Sequence, residues 1–330
     1  MAEINTVLLA AKFREELMAR IEAAFAPARV IRADFADDAA IAAAMEEADV
    51  AVLPADLDER ILAGRRLRWV HCCHAGLNKS ARPEVFQRGI IVTGAAGRSA
   101  PSLAEHAFFF MLALTYDAYG LKTAQGDHDW HRFIPCYAAA RGLNGQTIGI
   151  VGYGNTGRAV AKRARAFDMR VLAYSRSVRD CPADVDAYFA GDAGDSLDTL
   201  LRESDYLVLC CQYSDETRHL IDGAALSKMK PTARLINMSR GGVVDQAALI
   251  AALREGRIAG AGCDVFEEEP IPADDPIWDV PNLIITPHAT PRVADFEGNS
   301  TLALFENIRR YRADEEMVNR LRERDVLSGG

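Results

Sequence analysis

No apolar run in this chain reaches the ~18 residues that a membrane-spanning helix needs. Positive charge is in deficit: 38 lysines and arginines face 47 aspartates and glutamates, a net charge of −9. A chain so balanced has no basic face to offer to nucleic acid or to an anionic membrane surface. The start, Met1-Ala-Glu-Ile-Asn-Thr6, has no basic region ahead of an apolar stretch, so no secretory signal is visible. Cysteines number seven, an odd count without the paired spacing of zinc ligands, and no metal site is expected. Cys72-Cys73 and Cys210-Cys211 lie inside apolar runs and read as core thiols in a reducing cytoplasm.

What remains is a globular composition, 49% hydrophobic and 26% charged, in 330 residues, enough for two domains with a core each. Over the first hundred residues, short apolar runs (7–10, 30–31, 50–53, 69–73, 90–93) alternate with helical stretches. The connections are too long for hairpins, so a parallel sheet follows, with a flavodoxin-like layout as the best match. A helix then opens with the capping box Ser102-x-x-Glu105 and runs, apolar nearly all round, to about Tyr119. Either it is a core helix between domains or it also forms a subunit interface, and a homodimer built on it is expected. After an irregular segment, 127–135, the alternation resumes with six candidate strands: 148–151, 171–174, 206–210, 233–237, 258–264 and 283–286. That is the size of a full Rossmann sheet. A last helix, 302–311, is expected to return to the first domain, followed by a frayed end. The fold class is therefore α/β with two Rossmann-like domains: a discontinuous flavodoxin-like substrate domain, 1–99 and 288–330, and a doubly wound cofactor domain, 100–287. Closure is expected about hinges near 98–101 and 286–290.

The second region begins with Gly152-Tyr153-Gly154-Asn155-Thr156-Gly157, between the strand at 148–151 and a helix. Gly152 permits the tight turn, Gly154 lets a pyrophosphate approach the backbone, and Gly157 lets helix and strand pack closely. The free N–H groups and positive dipole end of the helix then face the phosphates. The next strand ends Tyr174-Ser175-Arg176-Ser177. An acid that would bind the ribose hydroxyls of NAD is absent there, and an arginine with flanking hydroxyls stands in its place. A guanidinium binds a 2′-phosphate that a carboxylate would repel, which predicts NADP(H) in preference to NAD(H).

Three further charged positions follow strand ends: Arg240 after 233–237, Asp264 and the acids to Glu269 after 258–264, and His288 after 283–286. In open α/β sheets that edge faces the ligand. The order Asn237-x-Ser-Arg240-Gly-Gly-x-Val-Asp245, Asp264-Val-Phe-x-x-Glu269-Pro270, Thr286-Pro-His288, behind G-x-G-x-x-G, resembles the D-isomer-specific 2-hydroxyacid dehydrogenase family. The likeness covers nearly the whole chain, including Leu103-Ala-Glu-His106 and Thr217-Arg-His-Leu220. It implies hydride transfer between nicotinamide C4 and C2 of a small 2-keto or 2-hydroxy acid. In that reading Arg240 binds the carboxylate and polarises the carbonyl, His288 exchanges a proton, and Glu269 orients His288, while Glu267 and Glu268 stay solvated. Asp264 would lie near the nicotinamide carboxamide. The loop His74-Ala75-Gly76-Leu77 resembles one whose backbone N–H groups hold the substrate carboxylate, with His74 either a substrate contact or a loop residue.

The loop Cys211-Gln-Tyr-Ser-Asp-Glu-Thr217 departs from the family's common Pro-Leu-Thr. Ala289-Thr-Pro-Arg-Val293 lacks the tryptophan of some members. Two other readings stand beside the keto-acid reductase. One is oxidation of a small anion such as phosphite on the same scaffold; formate enzymes carry glutamine where Glu269 stands. The other is a dinucleotide-sensing, corepressor-like interaction protein.

Overall fold

The computed structural model describes residues 3–131, 141–177, 180–290 and 293–327. It divides into two compact units, Met1–Ser99 with Val293–Gly330, and Ala100–Arg292. The first unit holds strands β1 (Thr6–Leu9), β2 (Arg29–Arg32), β3 (Val50–Leu53), β4 (Trp69–Cys72) and β5 (Ile91–Gly94). Between them run helices α1 (Glu15–Phe25), α2 (Asp38–Met45), α3 (Glu59–Leu62) and α4 (Pro83–Gln87). The strands are parallel and ordered β2-β1-β3-β4-β5, the flavodoxin-like order. Strands β1, β3 and β4 are buried along their whole length, as continuous apolar runs covered on both faces should be.

The helix Phe296–Ala313 belongs to this unit and is longer than the 302–311 read from sequence. Its Leu304, Ile308 and Tyr311 join Leu9, Val50 and Trp69 in one core cluster, and the Tyr311 ring stacks on Trp69 at 5.4 Å. The expected fraying does not start at Leu321. That side chain is buried, and its N–H donates to the Val92 carbonyl at 2.8 Å. Residues 328–330 lie outside the described residues.

The second unit opens with α5 (Ala100–Thr115) and α6 (Ala118–Asp127). The single helix expected to reach Tyr119 is thus broken. Asp117 adopts left-handed φ 45° and caps α6 by accepting from the Gly120 N–H. Ser102 is no cap either, since it sits inside the first turn of α5 and donates its hydroxyl to the Thr290 carbonyl. The irregular segment 127–135 falls largely outside the described residues. Seven parallel strands follow: β6 (Thr147–Val151), β7 (Arg170–Ser175), β8 (Ala187–Ala190), β9 (Tyr206–Leu209), β10 (Arg234–Asn237), β11 (Gly260–Cys263) and β12 (Leu283–Ile285). Their order is β12-β11-β10-β9-β6-β7-β8, a doubly wound sheet that reverses direction beside β6. Strand β8, an edge strand with three partly buried residues and the buried Ala190, was not expected from the sequence.

Helices α7 (Asn155–Ala166), α8 (Asp198–Glu203), α9 (Gly223–Lys228) and α10 (Gln246–Arg254) complete the unit. One sheet face packs Ile148, Ile150, Val208 and Ile284 against Phe108, Phe110 and Met111 of α5 and Val160 of α7. Gly262 of β11 makes this possible, for a Cβ there would lie 2.5 Å from the Phe110 ring. The division between units leaves His288 in the second one, past the 287/288 boundary read from sequence, because Ala289 and Thr290 are tied by hydrogen bonds to Asp264.

One buried group in the first unit has a measurable consequence. His71 in β4 is fully buried, with Nδ1 3.0 Å from Thr93 Oγ1 and no partner for Nε2 among the described residues. Burial, with a smaller push from His74, lowers its pKa from 6.5 to about 3. The unfolded chain therefore binds this proton below about pH 6.5 while the folded chain does not, so stability falls as pH drops through that window. From pH 7.5 to pH 5 this group should remove about 2 kcal/mol of unfolding free energy. Urea titrations at the two pH values should show a smaller loss in His71→Leu; equal losses would contradict the assignment.

Candidate active site at the sheet edge

A parallel sheet puts the carboxyl ends of all its strands on one side. Arg240 follows β10, Asp264 and Glu269 follow β11, and His288 follows β12, three neighbours in the sheet. With strands about 4.8 Å apart, Arg240 and His288 leave the sheet only about 10 Å from each other. Each loop is held by its own devices. Asn237 Oδ1 accepts from the Ser239 N–H at 3.1 Å and hydroxyl at 2.7 Å, and its Nδ2 donates to the Arg240 carbonyl at 3.2 Å. Gly241 then presses on the next loop, where an added Cβ would fall 1.9 Å from the Phe266 carbonyl carbon. Gly241 is thus a requirement of close backbone contact, while a Cβ at Gly242 would meet the Tyr213 ring at 2.8 Å.

Glu269 is fixed at both oxygens. Oε1 accepts from the Phe266 N–H at 2.8 Å, and Oε2 lies 2.7 Å from His288 Nδ1. An ionised carboxylate only accepts, so Nδ1 carries the proton and donates to Glu269. The imidazole is partly exposed, at 43%, as a group that must meet a ligand should be. Glu267 is exposed, as expected, and also faces His219 Nε2 at 2.9 Å and accepts from the Gln246 N–H at 3.3 Å. Those contacts tie the acidic loop to α10.

His288 itself has left-handed φ 49°, a conformation that surrounding contacts must hold. They do so through Asp264. The His288 N–H donates to the Asp264 carbonyl at 2.9 Å. The Asp264 carboxylate, 1% exposed, accepts from the Thr286 hydroxyl at 2.5 Å, the Ala289 N–H at 3.1 Å, and the Thr290 N–H and hydroxyl. Both oxygens therefore accept from the 286–290 turn. Thr286 extends this chain to α5, where His106 Nε2 lies 3.1 Å from its oxygen. Burial lowers the His106 pKa and the Asp264 charge offsets this only in part, so the ring stays neutral and donates to Thr286. His106, Thr286 and Thr290 carry no sequence signal for this task; His106 and Thr286 are 180 residues apart.

The dinucleotide positions lie on the other half of the same edge. Gly152 has φ 94°, and a Cβ there would lie 2.5 Å from the Cys211 nitrogen. Gly157 could carry no Cβ, since it would fall 2.2 Å from the Gly152 oxygen. Gly154 faces open space and precedes α7 without any side-chain cap, which leaves the N–H groups at Asn155 and Thr156 for a ligand's phosphates. The turn thus fits a dinucleotide. Tyr153 contributes only backbone, for its side chain is 2% exposed and donates to Asp184. Ser175, Arg176 and Ser177 follow at the end of β7, and Arg176 Nη1 donates to Glu216 Oε2 at 3.0 Å.

In the first unit, Gly76 has φ 82°, and the neighbouring Ala75 is exposed. His74 Nε2 pairs with Asp56 at 3.1 Å. Cys72, Cys73 and Cys263 are buried thiols whose pKa burial pushes up to about 12, too high for nucleophiles. Among the described residues there is no group of three metal-ligating side chains, and no helix is long and apolar enough to cross a membrane.

Residues 108–290 match the model of the D-isomer specific 2-hydroxyacid dehydrogenase NAD binding domain. The chain belongs to the D-isomer specific 2-hydroxyacid dehydrogenase family. Its curated relatives include a glyoxylate reductase of Korarchaeum cryptofilum, 38% identical across 78% of this chain and 76% of that one. Another, from Pyrococcus furiosus, is 37% identical over the same shares. Among solved structures, a dehydrogenase of this family from Xanthobacter autotrophicus Py2, in complex with NADPH and MES, is 28% identical. It covers 98% of this chain and 99% of its own with a TM-score of 0.80. A D-mandelate dehydrogenase of Rhodotorula graminis shares the fold, with TM-score 0.81, 22% identity and coverage of 96% and 97%. The chain is thus an enzyme, a 2-hydroxyacid dehydrogenase with a nicotinamide-dinucleotide-binding domain.

The Thr286 hydroxyl joins His106 to Asp264, so Thr286→Val should leave a polar group on each side without its partner. The expected loss is about 1–3 kcal/mol of unfolding free energy. A denaturant titration showing no change would exclude the hydrogen-bond chain as a support of the turn.

Proposed function

We propose that this 2-hydroxyacid dehydrogenase works as a D-specific reductase of small 2-keto acids such as glyoxylate or hydroxypyruvate, with NADP(H) preferred over NAD(H). The observation that carries this reading is the 2.7 Å Glu269–His288 pair beside Arg240 at the strand ends of the dinucleotide-binding sheet. The names of the curated relatives and the NADPH in the Xanthobacter structure support the substrate class and the cofactor. Retention of Glu269 as a carboxylate favours acid–base chemistry over formate oxidation.

When bound, a nicotinamide cofactor supplies hydride chemistry. The chain's own residues do the rest. Arg240 holds the substrate carboxylate and polarises the carbonyl with its planar fork of donors. His288 delivers a proton from Nε2 to the carbonyl oxygen, while Glu269 holds Nδ1 and stabilises the imidazolium. Gly76, at left-handed φ 82° beside the exposed Ala75, gives the 74–77 loop the backbone form of an anion-binding turn. Gly152, Gly154 and Gly157, with the amides of Asn155 and Thr156, hold the pyrophosphate. Ser175, Arg176 and Ser177 receive the adenosine 2′-phosphate. The exposed Phe109 and Tyr119 on α5 and α6 support a homodimer, which the mass in solution would test. The free thiols accord with a cytoplasmic setting, and a disulfide found in the isolated protein would oppose it.

Loss of absorbance at ~340 nm on mixing enzyme, NADPH and a panel of keto acids reads the activity directly. His288→Ala should lower kcat by about 10² or more with the NADPH Kd nearly unchanged. Arg240→Ala should lower kcat and raise the substrate KM together. A His288 variant at the parent rate would refute the proton-transfer role. A parent enzyme inert toward every keto acid would instead turn attention to small-anion oxidation or dinucleotide sensing.

A further inference from the structure

The guanidinium assigned to the 2′-phosphate already has an anionic partner. Arg176 stands one residue past β7, and its Nη1 donates to Glu216 at 3.0 Å while Nε finds no partner among the described residues. Glu216 comes from a different part of the sheet, the loop 210–217 after β9, on the far side of β6. That loop lies against the glycine-rich turn, as the approach of Cys211 to Gly152 shows. It is also internally tied. The Thr217 hydroxyl accepts from the Ser214 N–H and donates to the Gln212 carbonyl, both at 2.8 Å, and the Thr217 N–H donates to the Ser214 carbonyl at 3.0 Å. The backbone that carries Glu216 is therefore set beside the adenosine end of the site by contacts of its own. Asp192 and Asp195 add negative charge nearby. After burial, they and Glu216 are what push the Tyr174 phenol above its ordinary pKa.

We infer that Glu216 is a specificity-determining residue that restrains the preference for NADP(H) created by Arg176. This rests on the proposed 2′-phosphate subsite. A 2′-phosphate must displace or repel the Glu216 carboxylate to reach the guanidinium, whereas a 2′-hydroxyl can donate to that carboxylate. The pair is half in solvent, with 67% of the Glu216 side chain exposed, so the effect is moderate and falls with salt.

Adenosine 2′,5′-bisphosphate and adenosine 5′-monophosphate differ at the 2′-position and serve as probes without any turnover. Their Kd values would be measured by calorimetry on the full-length protein at low salt and at 0.5 M NaCl. Glu216→Gln should raise the preference for the 2′-phosphorylated probe about twofold to fivefold at low salt, and less at high salt. Arg176→Ala should abolish that preference. If Arg176→Ala lowers the preference and Glu216→Gln leaves it unchanged or lowers it, the role of Glu216 is overturned while the subsite stands. If Arg176→Ala changes nothing, the subsite falls and the inference with it.

Discussion

A single buried carboxylate organises the reactive end of this molecule. Asp264 gives up both oxygens to the 286–290 turn, and its own carbonyl accepts from the His288 N–H. The turn is otherwise unfavourable, because His288 must sit at positive φ. Buried anions are expensive unless every lone pair finds a donor, and here the donors belong to the segment that needs fixing. The desolvation of Asp264 and the strain at His288 are offset by the same set of hydrogen bonds. Helix α5 stiffens the arrangement from behind, with His106 on Thr286 and Ser102 on Thr290. Catalytic geometry on a loop thereby acquires the precision of the helix and sheet beneath it.

The same logic extends along the edge. Arg240 owes its position to Asn237, which clamps the turn, and to Gly241, which lets two loops touch at backbone distance. Glu269 owes its orientation to the Phe266 N–H, so the carboxylate is already aimed when it meets the imidazole. At the opposite end, the glycine-rich turn leads into α7 with no side-chain cap. Arg176 is balanced there by Glu216. Charge is thus paired at both ends of the edge, in keeping with a protein whose net charge is −9.

Much of this was legible in the sequence, and the reason is periodicity. Parallel strands buried on both faces read as apolar runs, so β1, β3, β4, β6 and β9 could be placed within a residue or two. Glycine spacing located the turn before α7, where Gly152 and Gly157 answer to a steric demand now visible as a forbidden Cβ while Gly154 faces open space. The parallel direction of the strands followed from the rule that long crossovers connect parallel strands. Other features were hidden. Strand β8 lies at the sheet edge with three of its four residues only partly buried, and the break at Asp117 depends on one left-handed residue. Ser102 had the spacing of a cap but serves Thr290, because α5 starts two residues earlier. Above all, the Asp264–Thr286–His106 chain joins positions distant in sequence by side-chain hydrogen bonds alone, and no pattern in one chain encodes such a link. Glu216 on Arg176 was invisible for the same reason.

The most direct test of a pre-set His288 is a crystal structure with NADPH and oxamate, an unreactive mimic of a 2-keto acid. The account predicts that Arg240 and His288 Nε2 will both reach oxygens of the bound oxamate. The Glu269–His288 separation should stay near 2.7 Å, and Asp264 should keep its bonds to Thr286, Ala289 and Thr290. An imidazole turned away from the ligand, or an Asp264 released from the turn to bind the nicotinamide carboxamide, would contradict it.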